Sequence, residues 1–163
     1  MYSIQDPLIS VIIPIYNAAN LISRCIDSIV AQSFENYEIV IVDDGSTDNS
    51  LSVCRKFTEV HHNILVFHKI NEGQTSARKY GLEHSKGKYI YFVDADDYIP
   101  TDTLTFLYNK ITENDLDIVA GNSISLFLGT ERVEKFTFPI EGIFNKLDHL
   151  TMMYRGESHN GTH

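Results

Sequence analysis

The chain of 163 residues contains no tryptophan, only two cysteines and few basic side chains for its length. Its 13 lysines and arginines are outnumbered by 22 aspartates and glutamates, which gives a formal net charge of -9. Nucleic-acid binding needs cationic groups to neutralise phosphates, so we expect no nucleic-acid partner. Cys25 and Cys54 are far apart in the sequence, which argues against a disulfide framework or a zinc site and favours reduced thiols in the core.

Long apolar runs and glycine-rich phosphate loops are also missing. No run approaches membrane-spanning length, and the first residues lack a basic segment followed by an apolar one, so we expect neither a transmembrane segment nor a signal peptide. We expect a cytoplasmic protein, and the inner face of the membrane stays open as a location for the parent protein. Because neither standard glycine pattern occurs, a phosphate ligand would depend on a metal, backbone amides or a few basic groups.

Strand-like apolar runs alternate with segments of helical period along the first three quarters of the chain. This alternation predicts an α/β fold with a Rossmann-like, mostly parallel sheet flanked by helices. The predicted strands cover residues 9–15, 37–42, 64–67, 89–93 and 117–120. After Gly121 the pattern predicts a β-hairpin across Gly129-Thr130 and a C-terminal helix over residues 144–154.

The length suits one compact domain over residues 1–163, with a core at about residues 8–121. The last residues, Gly156 to His163, contain no evident signal for the end of a domain. We therefore expect the chain to be truncated at its C-terminus.

Polar motifs follow the first four predicted strands. They are Pro14-Ile15-Tyr16-Asn17, Asp43-Asp44-Gly45-Ser46, Asn71-Glu72-Gly73 with Ala77-Arg78, and Asp94-Ala95-Asp96-Asp97. The carboxyl ends of parallel strands share one edge of a sheet, where ligands bind, so we expect the motifs to converge on one site. Carboxylates crowded at residues 94–97 repel one another unless a cation neutralises them, and oxygen ligands suit Mg or Mn.

Each motif also has a structural interpretation. Asp43 and Asp44 are suited to capping the following helix, Tyr16 to a half-buried position, and Arg78 to a salt bridge. A phospho-acceptor signalling domain likewise places paired aspartates after a strand and uses Mg. That hypothesis does not explain the motif that begins at Pro14 or the acidic cluster that begins at Asp94.

Taken together, five segments of this sequence resemble the family 2 glycosyltransferases, and the resemblance spans about residues 8–121. The segments are residues 9–17, Ser28 to Phe34, Glu38 to Asp48, Asn71 to Arg78, and Tyr91 to Asp97. The resemblance implies an A-type glycosyltransferase fold and a nucleotide-diphosphate-sugar donor, usually a UDP-sugar. It also implies polysaccharide biosynthesis, with transfer of a hexosyl or N-acetylhexosaminyl group to a glycan or lipid-linked acceptor. Whether the protein forms a homo-oligomer stays open.

The resemblance assigns nucleotide contacts to four positions. Pro14, Tyr16 and Asp44 would frame the base, with Asp44 accepting a hydrogen bond from the uracil imino group and Tyr16 packing on the ring. Arg78 would reach toward the nucleotide.

The acidic cluster would hold the other end of the donor. Asp94 would lie at the ribose, and Asp96 would coordinate the Mn or Mg ion that bridges the diphosphate, with support from Asp94 and Asp97. In inverting members of the family the catalytic base lies well downstream of such a cluster, so it is expected beyond His163 and none is assigned here. The alternative is a catalytically silent nucleotide-sugar-binding module.

Overall fold

The computed structural model describes residues 6–120, 123–126 and 133–136. The chain divides into two compact units, Met1–Asp117 and Ile118–His163. The expectation of a single domain over residues 1–163 stays a prediction. Within the described ranges, no helix is both long and apolar enough to cross a membrane.

The first unit is built on a four-stranded parallel sheet with the strand order β3-β2-β1-β4. The strands are β1 (Ile9–Ile15), β2 (Tyr37–Asp44), β3 (Ile64–Lys69) and β4 (Tyr89–Phe92). The helices are α1 (Ile22–Val30), α2 (Ser50–Thr58), α3 (Gln74–His84) and α4 (Thr103–Glu113). This architecture confirms the predicted mostly parallel sheet flanked by helices.

The two faces of the sheet are covered by different helices. Alternate residues of β1 and β2, including Val11 and Ile39, pack with buried residues of α1, α2 and α4. The other face, including Ile12 and Val40, packs against α3. Because both faces are covered, all seven residues of β1 are buried, which explains its nearly continuous apolar sequence. Cys25 and Cys54 are buried, unpaired thiols, and burial raises the pKa of each to about 12.

Helix α3 lies very close to the sheet at Gly81. A Cβ atom at this position would stand 2.5 Å from Cγ2 of Ile12, a distance that real Cβ contacts do not reach. Glycine therefore lets α3 approach the sheet, and this approach brings the amino end of the helix to the edge where the polar motifs lie.

One predicted strand is wrong, and three others end one or two residues away from the prediction, since β2 and β3 each extend two residues further and β4 ends one residue earlier. Residues 117–120 form no strand, and Ile118 is 67% exposed. An apolar run becomes a strand only where a neighbouring strand supplies hydrogen bonds, and in the described part of the sheet β4 pairs only with β1. In the second unit, β5 (Ser123–Leu126) and β6 (Val133–Phe136) pair antiparallel, as predicted for the hairpin. The helix predicted over 144–154 lies outside the described residues.

Candidate functional site

A cavity of about 590 Å³ lies at the carboxyl edge of the parallel sheet. Its walls come from the ends of β1 and β2 and from the segments that follow β1, β3 and β4. The predicted site residues that line it are Pro14, Tyr16, Asp44, Asp94 and Asp96. The structure therefore brings together side chains up to 82 positions apart in the sequence, at the edge that the parallel topology favours for a ligand.

Asp44 forms the buried acidic wall of this cavity and is only 3% exposed. Its carboxylate accepts hydrogen bonds from Lys69 Nζ at 2.7 Å, from the Gly73 amide at 2.7 Å and from the Glu72 amide at 3.1 Å. Burial by itself raises the pKa of Asp44, but these donors outweigh burial and leave the pKa below its ordinary value. Asp44 is therefore an ionised acceptor near neutral pH.

Asp43, the neighbour of Asp44, has a structural role. It is fully buried, accepts a hydrogen bond from the Ser46 amide at 3.2 Å, and lies 2.7 Å from His68 Nδ1. The contact with Ser46 stabilises the turn after β2. The interpretation of Asp43 as the cap of the following helix is wrong, because α2 begins only at Ser50, whose amide donates to Asp48 Oδ1 at 2.9 Å. Asp44 instead binds the segment after β3, so the two adjacent aspartates serve different loops.

The loop after β1 is fastened to the loop after β2. Asn17 has a left-handed backbone with φ of 50°. The backbone amide of Asn17 donates to Ser46 Oγ at 2.9 Å, and its side-chain oxygen accepts from the backbone amide of Thr47 at 2.8 Å. This connection orients the half-exposed Tyr16, whose side chain lines the cavity. Sequence reasoning quoted Asn17 within its motif but gave it no role of its own.

On the opposite wall, Asp94 is held by two donors from α3. Arg78 Nη2 donates to Asp94 Oδ1 at 2.6 Å, and Gln74 Nε2 donates to the same oxygen at 2.9 Å. Arg78 is outside the cavity lining, so its direct contact with a nucleotide stays a prediction. Gln74 lines the cavity but was missed, because nothing in the sequence marks this glutamine as different from any other polar helix residue.

Asp96 and Asp97 continue the acidic segment. Asp96 is exposed and lines the cavity, whereas Asp97 lies outside the described lining. The Arg24 guanidinium donates to the Asp96 carbonyl oxygen at 3.1 Å and thereby ties this segment to α1. Burial and then the carboxylates of Asp96 and Asp94 raise the pKa of Asp97, while Arg24 opposes the shift. The segment thus concentrates negative charge beside the cavity.

The acidic segment fits a divalent ion only if the ion takes further ligands from a bound substrate. Among the residues that the structure describes, no group of three or more His, Cys, Asp or Glu side chains could hold a metal ion without other ligands. Mg²⁺ in nucleotide enzymes is commonly held by one or two carboxylates together with substrate phosphates. Asp96 suits that role, because its carboxylate accepts no hydrogen bond from the described residues and lines the cavity. Asp94 could contribute its second oxygen.

The family model for glycosyl transferase family 2 matches residues 10–159. The chain belongs to glycosyl transferase family 2. This membership confirms the resemblance that the five sequence segments indicated. The matched residues extend over parts of both compact units.

Relatives of this family 2 chain include longer proteins. Glycosyltransferase GlyA of Streptococcus pneumoniae serotype 4 is 46% identical over 120 residues, which cover 74% of this chain and 17% of GlyA. The chain therefore spans less than a fifth of the length of that curated relative.

Solved structures of similar proteins share the fold. S. aureus TarS 1–349 in complex with UDP-GlcNAc is 34% identical with a TM-score of 0.62, over 66% of this chain and 32% of TarS 1–349. The mannosyltransferase PcManGT from Pyrobaculum calidifontis, in complex with GDP-Man and Mn2+, is 30% identical with a TM-score of 0.62, over 73% of this chain and 35% of PcManGT. These likenesses confirm the A-type glycosyltransferase fold of the family 2 chain.

Proposed function

We propose that this chain binds the donor of a glycosyltransferase that uses a UDP-sugar and Mn or Mg. The parent reaction is inverting transfer of a hexosyl or N-acetylhexosaminyl group to a hydroxyl of a glycan or lipid-linked acceptor. Family membership supports glycosyl transfer, and the UDP-GlcNAc complex of TarS supports a UDP-linked N-acetylhexosamine as the donor.

The observation that carries the proposal is the acceptor capacity of Asp44. An ionised carboxylate has about four lone-pair sites, and three donors, Lys69 Nζ and the amides of Glu72 and Gly73, bind the Asp44 carboxylate. The Glu72 amide is shared between the two carboxylate oxygens, at 3.1 Å from Oδ1 and 3.2 Å from Oδ2, so a donor in the cavity would take the position of one of these shared contacts on a side chain that lines it. The uracil imino N–H suits this position, and the exposed ring of Tyr16 suits packing against the base.

At the other wall, Asp94 and Asp96 face the part of the cavity proposed for the ribose and diphosphate. Arg78 and Gln74 orient Asp94 by sharing one of its oxygens, which leaves the other for a sugar hydroxyl or a metal. Asp96 would hold the divalent ion, which when bound would neutralise charge on the departing nucleoside diphosphate. Asp97 would support the cluster from outside the cavity lining.

Glycosyl transfer also needs a base that accepts the proton of the acceptor hydroxyl. The proposal assigns this role to none of the described residues. The proposed function of this chain is therefore donor binding.

Calorimetric titration of UDP in the presence and absence of Mn²⁺ tests the metal part of the proposal. We expect Asp96→Ala to weaken metal-dependent UDP binding by about tenfold or more, since charge-assisted contacts contribute about 1.5–3 kcal/mol. Asp27→Ala is the matched control, because Asp27 is an exposed aspartate on α1, outside the cavity lining. Equal UDP affinity with and without EDTA, in both the wild type and Asp96→Ala, would remove the metal from the proposal.

Competition among nucleotides tests the base. PcManGT was solved with GDP-Man, so GDP is the strongest competing hypothesis for the donor nucleotide. We expect UDP to displace a labelled UDP probe at lower concentration than CDP or GDP does. Tighter binding of GDP would overturn the uracil assignment while leaving a nucleotide-sugar site in place.

A further inference from the structure

Lys69 is the last residue of β3 and has only 12% of its side chain exposed. Its ammonium group contacts Asp44 Oδ1 at 2.7 Å, Glu72 Oε2 at 2.9 Å and the carbonyl oxygen of Ile70 at 2.6 Å. An ammonium group has three N–H donors, so the described contacts use all of them. Lys69 has no donor left for a ligand, and its effect on the cavity must pass through the groups that it binds.

The position of Lys69 follows from the sheet register. Lys69 is the in-register neighbour of Asp44 across the parallel pairing of β2 and β3. The ion pair therefore joins two rigid strand ends, while the amides of Glu72 and Gly73 bind the same carboxylate from the following loop. Both the orientation of Asp44 and the path of the cavity wall at Asn71 and Gly73 depend on this arrangement.

We propose that Lys69 is a positioning residue that fixes the Asp44 carboxylate as a hydrogen-bond acceptor and thereby sets the preference of the donor site for uracil over cytosine. The inference rests on the proposed function, since it requires that the nucleobase binds at Asp44.

The chemistry of the two bases makes the preference depend on the charge of Asp44. Uracil carries a proton on its ring N3, whereas the same nitrogen in cytosine is an acceptor. A carboxylate therefore pairs with uracil, and a protonated carboxyl pairs with cytosine. A mismatched pair leaves a buried polar group without a partner.

The groups around Asp44 decide which form is present. Lys69 favours the carboxylate, and the exposed Glu72 side chain opposes it from the loop. The buried Asp43 and the half-exposed His68 form a pair at the adjacent register position of the same two strands. Removing Lys69 would take away a hydrogen bond and a positive charge that lower the Asp44 pKa, while burial would continue to raise it and the amides of Glu72 and Gly73 would continue to lower it. We therefore expect the Asp44 pKa to rise in the absence of Lys69.

The test compares UDP and CDP binding, with saturating Mn²⁺, at about pH 5.5 and about pH 7.5, where unperturbed aspartates are ionised. For wild type we expect a ratio of UDP to CDP affinity that is the same at both pH values. For Lys69→Met we expect a lower ratio at the lower pH than at the higher pH, because a higher Asp44 pKa leaves more of the carboxyl group neutral there. The two nucleotides share the diphosphate and the metal, so their ratio cancels any pH effect on the metal site.

Three further variants complete the design. Lys79→Met is the matched control, because Lys79 is an exposed lysine on α3 whose ammonium group lies 3.9 Å from Glu83 Oε1 and outside the cavity lining. Lys69→Arg keeps the positive charge and is expected to restore a ratio that does not depend on pH. Lys69→Gln removes the charge but keeps a donor, and it decides the question if Lys69→Met does not fold.

The outcomes separate the inference from the function that underlies it. If wild type prefers UDP but the ratio in Lys69→Met and Lys69→Gln stays independent of pH, Lys69 has only a structural role and the inference is wrong. An equal loss of UDP and CDP affinity at both pH values would lead to the same conclusion. If wild type binds neither nucleotide, the proposed donor site fails and the inference fails with it.

Discussion

Strand β2 carries a buried carboxylate near each of its ends. Glu38, near the amino end, is 7% exposed, and Asp44, at the carboxyl end, is 3% exposed. Each accepts a hydrogen bond from the backbone of a distant loop. The Lys86 amide donates to Glu38 at 2.6 Å, and the Gly73 amide donates to Asp44 at 2.7 Å. Both acids therefore fasten a segment that leads to or from helix α3.

The two carboxylates differ in their other hydrogen-bond partners. Glu38 binds the Ser10 hydroxyl at 2.6 Å, and Ser10 Oγ in turn accepts from the Gly87 amide at 2.8 Å, so its partners are neutral. Asp44 has a cationic partner in Lys69 and lines the cavity. The same kind of residue thus stabilises the fold at one edge and lines a cavity at the other, because only the carboxyl edge gathers the loops of successive strands.

The largest expected effect comes from breaking the amino edge at Gly87. A Cβ atom there would stand 2.4 Å from the backbone nitrogen of Ser10, and the backbone at that point belongs to the central strand and cannot yield. We expect Gly87→Ala to lower the free energy of unfolding by about 3 kcal/mol, the upper range for overpacking. Urea denaturation measures the loss.

UDP affinity of the folded Gly87→Ala protein should match wild type, since Gly87 lies at the opposite edge from the cavity. Lys86→Ala, at an exposed neighbouring position, keeps the backbone amide that binds Glu38; it is the control and should be nearly neutral. A strong loss of UDP affinity in folded Gly87→Ala would show that the two edges are coupled.

The next largest effect distinguishes the two carboxylates directly. Asp44→Asn replaces one acceptor oxygen by a donor that faces Lys69 or a loop amide, whereas Glu38→Gln can still accept from Ser10 and Lys86 through its side-chain oxygen. We expect Asp44→Asn to weaken UDP binding by about tenfold, at a cost of roughly 1–3 kcal/mol for an unpaired buried group, and Glu38→Gln to leave it unchanged. Isothermal titration calorimetry of both variants measures the difference. Equal UDP affinities would mean that Asp44 does not contact the nucleotide.

The smallest effect is the dependence of stability on pH. The pKa of Asp44 is lowered in the folded protein, so its stabilising contribution is present above the ordinary aspartate pKa and is lost as the pH falls through the folded pKa. We expect the free energy of unfolding of the wild type to decline below about pH 4, and the decline to be shallower in Asp44→Asn. Urea unfolding at a series of pH values measures both slopes, and identical slopes would show that Asp44 is not a source of acid sensitivity.

Sequence reasoning predicted the cavity residues well where a motif follows a strand. Pro14, Tyr16, Asp44, Asp94 and Asp96 all follow or end an apolar run, and parallel strands bring such positions to one edge. The same reasoning failed for residues whose role depends on a partner. Lys69 and Gln74 are ordinary polar residues in the sequence, and their contacts with Asp44 and Asp94 exist only because β2 pairs with β3 and α3 packs on the sheet.

The alternation of strands and helices follows from the amino-acid sequence alone, because period and β-branched composition are local properties of the chain. The motifs at the carboxyl edge and the family of the chain can be read from the sequence as well. Which partner each carboxylate takes depends on the folded structure. The donors to Asp44 lie 25 to 29 positions away, and a contact at that separation is set by strand register and helix packing, which no local pattern encodes.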